Sequence, residues 1–240
     1  MKRAIVIGAS SGIGRQVAQL LLQDGWHVGI ASRRLEALDD LKRIAPERIV
    51  TAQIDVTREE ASSQLLTLAS QLGGMNLFFY SAGVGWQNSM LEEDKEIKTA
   101  ETNATGFIRM IGTAFRYFAE HAGGQIAVIT SIAGTRGLGP APAYSATKAM
   151  QNTYIEALEQ LSAKRHLHIR FTDIRPGFVD TPLLQGSTSY PMLMSSHHVA
   201  KHIVKGIYKH RHVIVIDWRW IVVTALWRLI PHWLWRKIKL

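Results

Sequence analysis

A glycine cluster near the amino terminus constrains this chain more than any other feature. Four apolar residues, Ala4, Ile5, Val6 and Ile7, run into Gly8-Ala9-Ser10-Ser11-Gly12-Ile13-Gly14 and then into Arg15-Gln16-Val17-Ala18. A short apolar run fits a buried strand, and residues 12–24 carry a helical pattern. Gly8 permits a tight turn, Gly12 lets the backbone approach a pyrophosphate, and Gly14 lets the helix lie close to the strand. The new helix aims its unpaired N–H groups and the positive end of its dipole at the same spot. Strand, turn of spacing G-x-x-x-G-x-G and helix together predict a dinucleotide site, with Ser10, Ser11 and Ile13 in the loop that faces it.

The rest of the chain repeats the alternation. Apolar runs at 28–31, 49–54, 77–80, 126–129, 169–174 and 213–216 read as strands. They are continuous rather than alternating, so both faces should be buried. Helix-length segments lie at 34–44, 58–72, 91–121, 142–164 and 197–209. The order predicts an α/β fold, a single Rossmann-type doubly wound parallel sheet of about seven strands with helices on both faces. No repeat, low-complexity stretch or linker divides the 240 residues. Residues 1–217 therefore read as one dinucleotide-binding catalytic domain and 218–240 as a tail. Ligands of such sheets sit beyond the carboxyl ends of the strands.

The second strand ends at Ala31-Ser32-Arg33-Arg34. An acidic residue there would bind the ribose 2′-hydroxyl of NAD, whereas guanidinium forks suit a 2′-phosphate. The expected cofactor is NADP(H) rather than NAD(H), with Arg33 favoured over Arg34. After the third strand, Asp55 offers a carboxylate to the adenine amino group and Val56 an apolar neighbour to its ring. Asp55 equally suits the cap of a helix starting near Arg58. After the fourth strand, the small residues Ala82 and Gly83 let a ribose come close.

Tyr144 and Lys148 stand four residues apart in Ala143-Tyr144-Ser145-Ala146-Thr147-Lys148, one helical turn from each other on one face. A free phenol has a pKa near 10, and a neighbouring ammonium favours its ionised form. Tyr144 is thus a candidate general acid in reduction and general base in oxidation. Lys148 also suits the nicotinamide ribose hydroxyls. Ser131, after the fifth strand, is placed to steady charge on a substrate oxygen. Asn103, in Thr102-Asn103-Ala104-Thr105-Gly106, is a candidate to hold a water that relays protons towards Lys148.

Over residues 1–217 the sequence resembles the short-chain dehydrogenase/reductase family. The family's glycine turn falls on Gly8, Gly12 and Gly14, its Asp after the third strand on Asp55, and its N-A-G on Ala82 and Gly83. Its Asn-Ser-Tyr-Lys tetrad falls on Asn103, Ser131, Tyr144 and Lys148. Its Pro-Gly falls on Pro176 and Gly177, and the stretch through Val179 and Thr181 is implied to contact the nicotinamide amide. Ile7 stands where relatives often have Thr, and Ser81 where they often have Asn. The resemblance implies hydride transfer between nicotinamide and a carbonyl or secondary alcohol of a small molecule. It also implies a homodimer or homotetramer assembled through helices at 103–121 and 142–164. The alternative is a non-catalytic protein that binds NADP(H) as a sensor or scaffold.

Residues 182–197 are expected to cover the substrate. Their Met and Leu residues, with Leu138, Val84 and Trp86, favour an apolar or lipid-linked compound. His198 and His202 share a helix face, but no HExxH accompanies them and no metal is expected.

Charge is concentrated at the carboxyl end. Of the net +9, residues 201–240 contribute nine basic residues against one acid, Asp217, and they hold five of the seven tryptophans. The tail should form a helix capped by Asp217 and stopped before Pro231. It is too short for the roughly 20 apolar residues that span a bilayer. Its mixture of Trp with Lys and Arg predicts a peripheral contact with an anionic membrane surface, or burial in a dimer interface. No nucleic-acid motif accompanies the charge. The short first apolar run does not resemble a signal peptide, so a cytoplasmic location is expected, with the tail peripheral on the inner face of a membrane if it is an anchor.

Overall fold

The computed structural model describes residues 1–184 and 190–238. Gln185 and Gly186 of the expected substrate cover, and Lys239 and Leu240 of the tail, lie outside the described residues. The seven expected strands are all present: β1 (Arg3–Ile7), β2 (His27–Ser32), β3 (Ile49–Gln53), β4 (Leu77–Tyr80), β5 (Gly124–Ile129), β6 (Ile169–Pro176) and, at the far edge, a strand over Val213–Ile216. They form one parallel sheet in which β1 lies between β2 and β4. The chain runs outward from β1 through β2 to β3, then returns to β4 on the other side. The reversal opens a crevice beyond the ends of β1 and β4.

Strand residues alternate between two cores. Ala4 and Val6 face one with Val17 and Leu21 of α1 (Gly12–Gln23), and Ile5 and Ile7 face the other. The second core holds Leu65 and Leu68 of α3 (Ala61–Gln71), with the short α2 (Asp39–Ile44) preceding β3. Phe79 and Phe78 of β4 enter opposite cores, and each is fully buried. Burial of this kind contributes about 1.5–3 kcal/mol per large apolar side chain. Continuous apolar strands are the sequence counterpart of a sheet covered on both faces.

Two details depart from the expected elements. The segment 91–121 is not one helix. It divides into α4 (Glu93–Ala100), a π-helical turn (Glu101–Gly106) and α5 (Phe107–Glu120). The wider turn turns Asn103 inward, where it is fully buried. The second departure is a parallel pair of two-residue strands, β7 (Val179–Asp180) and β8 (Met194–Ser195), bracketing the expected substrate cover. They are too short to leave a periodic signal.

The remaining helices are α6 (Pro142–Lys164) and α7 (Ser196–Tyr208), followed by β9 (Val213–Ile216). The tail then folds into α8 (Trp218–Leu229) and α9 (His232–Trp235). Asp217 Oδ1 accepts from Arg219 N at 3.0 Å, and the helix stops ahead of Pro231. Trp220, Thr224 and Trp235 are buried against the body. Among the described residues no helix is long and apolar enough to cross a membrane.

Candidate active site

The glycine turn joins β1 to α1 at the crevice. Gly8 has φ +88°, and a Cβ there would stand 2.7 Å from Ala82 N. A Cβ on Gly14 would stand 2.2 Å from Gly8 O, so α1 can start this close only with glycine. Ser11 makes no side-chain cap to α1, so Ser10 and Ser11 in the loop and Ile13 in the first turn of α1 stand where the unpaired helix N–H groups meet the crevice. Thr181, beyond β6, packs on the turn, 3.0 Å from where a Gly12 Cβ would be. The stretch from Pro176 and Gly177 through Val179 thus leads to the glycine turn at Thr181.

On the other side of β1, Arg33 and Arg34 are exposed at the end of β2. Arg33 lines a cavity of about 330 Å³ with Gln53, Asp55, Arg58, Glu60 and Gln64, whereas Arg34 does not. Gln53 Nε2 donates to Arg33 O at 3.0 Å and fixes this corner. Asp55 Oδ1 accepts from the Thr57 amide and hydroxyl at 3.0 and 2.8 Å, closing a turn three residues before α3 rather than capping the helix itself. Val56 is buried against Gly106. Arg58 was no candidate in the sequence. Its only signal was a cation three residues after Asp55.

The tetrad residues come together beyond β4 and β5. Ser131 follows β5 in extended conformation, and its Oγ accepts from Ala133 N at 3.0 Å. Its own proton is free for a second partner. Burial raises the pKa of the Tyr144 phenol, and the neighbouring Ser131 hydroxyl lowers it in part. Lys148 is buried, with Nζ 5.7 Å from the Tyr144 ring centroid. It donates to Ile129 O at 3.1 Å and to Gln151 Oε1 at 3.0 Å. Desolvation brings its pKa down to about 8, against the attraction of Asp173. Asp173, on β6, is itself held by Thr130 Oγ1 and paired with Arg175 at 2.6 Å.

Asn103 is held in place by hydrogen bonds to Val84 and Gln151. Its amide clasps the backbone of Val84, accepting from Val84 N at 2.9 Å and donating to Val84 O at 2.7 Å. Its backbone carbonyl accepts from Gln151 Nε2 at 2.7 Å. Gln151, fully buried, therefore joins Asn103 to Lys148 directly. Nothing in the residue pattern singles out this glutamine. A polar residue in mid-helix reads as solvated, and only its i+3 spacing from Lys148 hinted otherwise. Gly83 lies between these groups, its absent Cβ 3.3 Å from Asn103 Oδ1 and 3.8 Å from Lys148 Nζ.

Two further supports were not legible. Glu96 on α4 accepts from Ala143 N at 3.1 Å and from Asn88 Nδ2 at 2.8 Å, tying the start of α6 to the 85–92 wall. Gly85 lies flat against the Tyr144 ring, and a Cβ there would stand 2.4 Å from Cδ2. Gly85→Ala should therefore push the ring aside and lower kcat about ten- to a hundredfold, while dinucleotide affinity holds. Steady-state rates paired with cofactor titration check this, and an unchanged kcat would show that the wall yields instead.

Of the residues expected to cover the substrate, Leu183 and Leu193 are exposed, Met192 packs on the core and Met194 is buried within it. Among the described residues, no group of three or more His, Cys, Asp or Glu is placed to hold a metal ion.

Fold and site together define a nucleotide-dependent oxidoreductase class. The profile of the short chain dehydrogenase family matches residues 2–190, and the chain belongs to that family. An uncharacterized oxidoreductase of Myxococcus xanthus is 32% identical over 239 residues, covering 96% of this chain and 93% of its own. Among solved structures, a short chain dehydrogenase of Burkholderia cenocepacia in complex with NADP aligns with TM-score 0.81 at 21% identity, over 96% of this chain and 100% of that one. Actinorhodin polyketide ketoreductase with NADPH aligns with TM-score 0.78 at 23% identity, over 90% and 95%.

Proposed function

We propose that this enzyme interconverts a carbonyl compound and its secondary alcohol with NADP(H), with Tyr144 carrying the proton. The observation behind the reading is the convergence of Ser131, Tyr144 and Lys148 at the crevice between β1 and β4. The residues present fit a dinucleotide. The cradle at Gly8 and Gly14 is backbone that a Cβ would obstruct, and the first turn of α1 lacks a side-chain cap from Ser11. Ser10, Ser11, Gly12 and Ile13 would hold the pyrophosphate. Arg33 and Arg58 would hold the 2′-phosphate, with Asp55 towards the adenine. Ala82 and Gly83 would meet the ribose, and the 176–181 stretch the nicotinamide amide. When bound, the nicotinamide supplies or accepts the hydride. NADP or NADPH in the Burkholderia dehydrogenase and the polyketide ketoreductase supports this choice.

In reduction, Ser131 and Tyr144 would both donate to the carbonyl oxygen, and Tyr144 would release its proton as the oxygen becomes an alkoxide. Lys148 uses two of its three protons on Ile129 O and Gln151. The third remains for a ribose hydroxyl, and its charge favours the phenolate. Val84, Trp86, Leu138 and Leu193 lie in segments that follow the strand ends and would give the mouth an apolar lining, which favours an apolar substrate. Exposed Ile108 on α5 and Leu161 on α6 support self-assembly through those helices.

A panel of ketones and alcohols with NADPH and NADH tests the reading. Turnover should favour NADPH, and Arg33→Ala should cut that preference about 10- to 100-fold, the worth of hydrogen bonds to a charged group. A preference unaltered by Arg33→Ala would remove the 2′-phosphate assignment. Absence of turnover across the panel would leave a dinucleotide-binding sensor.

A further inference from the structure

The tail carries a surface that the catalytic reading does not use. At about 3.6 residues per turn, Trp218, Ile221, Leu226 and Leu229 fall on one stripe of α8, opposite the buried Trp220 and Thr224. The stripe is open to solvent: Trp218 is 70% and Leu229 79% exposed. Trp233 of α9 is 64% exposed as well. Arg219 and Arg228 project along the two borders of the stripe, and Arg236 and Lys237 follow α9. Lys237 Nζ lies 5.7 Å from the Trp233 ring centroid. The one acid of this region, Asp217, is spent on Arg219 at 2.6 Å.

We infer that α8 and α9 form a platform that lies flat on an anionic bilayer surface and delivers the enzyme to a carbonyl compound dissolved in that bilayer. An apolar stripe that carries tryptophan, in a region with nine basic residues against one acid, matches the boundary between acyl chains and acidic headgroups. A 12-residue helix is about 18 Å long, too short to cross and long enough to lie in the plane. A second copy fits less well. Two-fold pairing would bring Arg228, Arg236 and Lys237 against the same cations, and the one acidic side chain of the region, Asp217, is already paired with Arg219.

The platform is fastened to the catalytic rim. Arg136 lies on the segment that runs from Ser131 towards α6. Its guanidinium donates to Trp227 O at 3.1 Å, Arg228 O at 2.9 Å and Ile230 O at 2.8 Å, closing the carboxyl end of α8. Trp235 Nε1 donates to Gly137 O at 2.8 Å. At the other end Trp220 packs on Gly177, and its ring meets Phe178 at 5.6 Å. The segments that follow β5 and β6 are thereby joined to the membrane-facing helices, which is how a bilayer-borne substrate would meet the site. This substrate class rests on the oxidoreductase reading above.

The test uses the full chain and a Leu226→Ser, Leu229→Ser, Trp233→Ser variant with vesicles of phosphatidylcholine, alone or mixed with phosphatidylglycerol. The full chain should float with the mixed vesicles and be released by salt. The variant should bind at least about tenfold more weakly while keeping its melting temperature and its turnover of a water-soluble ketone. A long-chain ketone carried in the mixed vesicles should be reduced at least about tenfold faster than in phosphatidylcholine alone. Flotation without turnover of any ketone would sink the oxidoreductase reading and leave the platform. A full chain that stays in solution, binds both vesicle types alike, or forms a dimer that the three serines dissociate would overturn the platform. Should the variant fail to fold, salt release and the two-vesicle comparison on the full chain decide alone.

Discussion

Turnover by a Tyr144→Phe variant should fall about 10²- to 10⁴-fold, the usual worth of a positioned general acid, with NADPH affinity nearly unchanged. The substitution removes one oxygen and keeps the ring, so the contact with Gly85 survives. Ser131 cannot take over. Its hydroxyl has a single proton, and its oxygen already accepts from Ala133 N. Giving that proton up would leave an alkoxide far more basic than a phenolate. Lys148 cannot take over either, because two of its protons face Ile129 O and Gln151 and the third is the one assigned to a ribose hydroxyl. Single-turnover rates with NADPH preloaded separate the chemical step from binding. A variant that keeps more than about a tenth of the rate would mean that water, not the phenol, protonates the product.

The parts of the molecule legible in the sequence are those with a periodic or punctuated signal. The strands showed as apolar runs because a sheet covered on both faces tolerates no polar alternation. The glycine turn showed because Gly8 and Gly14 have steric reasons that no other residue satisfies. Asp217 and Pro231 marked the ends of α8 through ordinary capping chemistry. What stayed hidden depends on contacts distant in sequence. The π turn around Asn103 is helical in composition, so the extra residue changes which side faces inward without changing the residue types. Asp173, 25 residues beyond Lys148 in the chain, influences it only because β5 and β6 are neighbours. Arg136 reads as one more surface cation until the carboxyl end of α8 lies across it. Burial of a polar side chain, as at Gln151, is a property of the packed helix and not of the residue.

That glutamine leads to the second large effect, on pH dependence. Desolvation lowers Lys148 from 10.5 to about 8. The folded state therefore releases this proton before the unfolded chain does. Between pH 8 and 10.5 the unfolded state binds more protons, so stability rises with pH across that window, by about 3 kcal/mol in all. Activity should move the other way. Reduction needs a protonated phenol and a charged Lys148, so the rate should decline as pH rises through about 8 while the fold becomes more stable. The decline is then not unfolding. Gln151→Leu removes an acceptor from the ammonium, worth about 1.5–3 kcal/mol for a charged group, and should move the alkaline limb down by about one to two pH units. Gln151→Glu sets a carboxylate beside the ammonium and should move the limb up. Both variants lose the donor to Asn103 O, so a merely structural role predicts lower rates in each with the limb where it was. A kcat profile from pH 6 to 10 on the three proteins, with melting curves at each pH, distinguishes these outcomes. Opposite displacements identify Gln151 as the residue that sets the charge on Lys148, and a common limb would end that assignment.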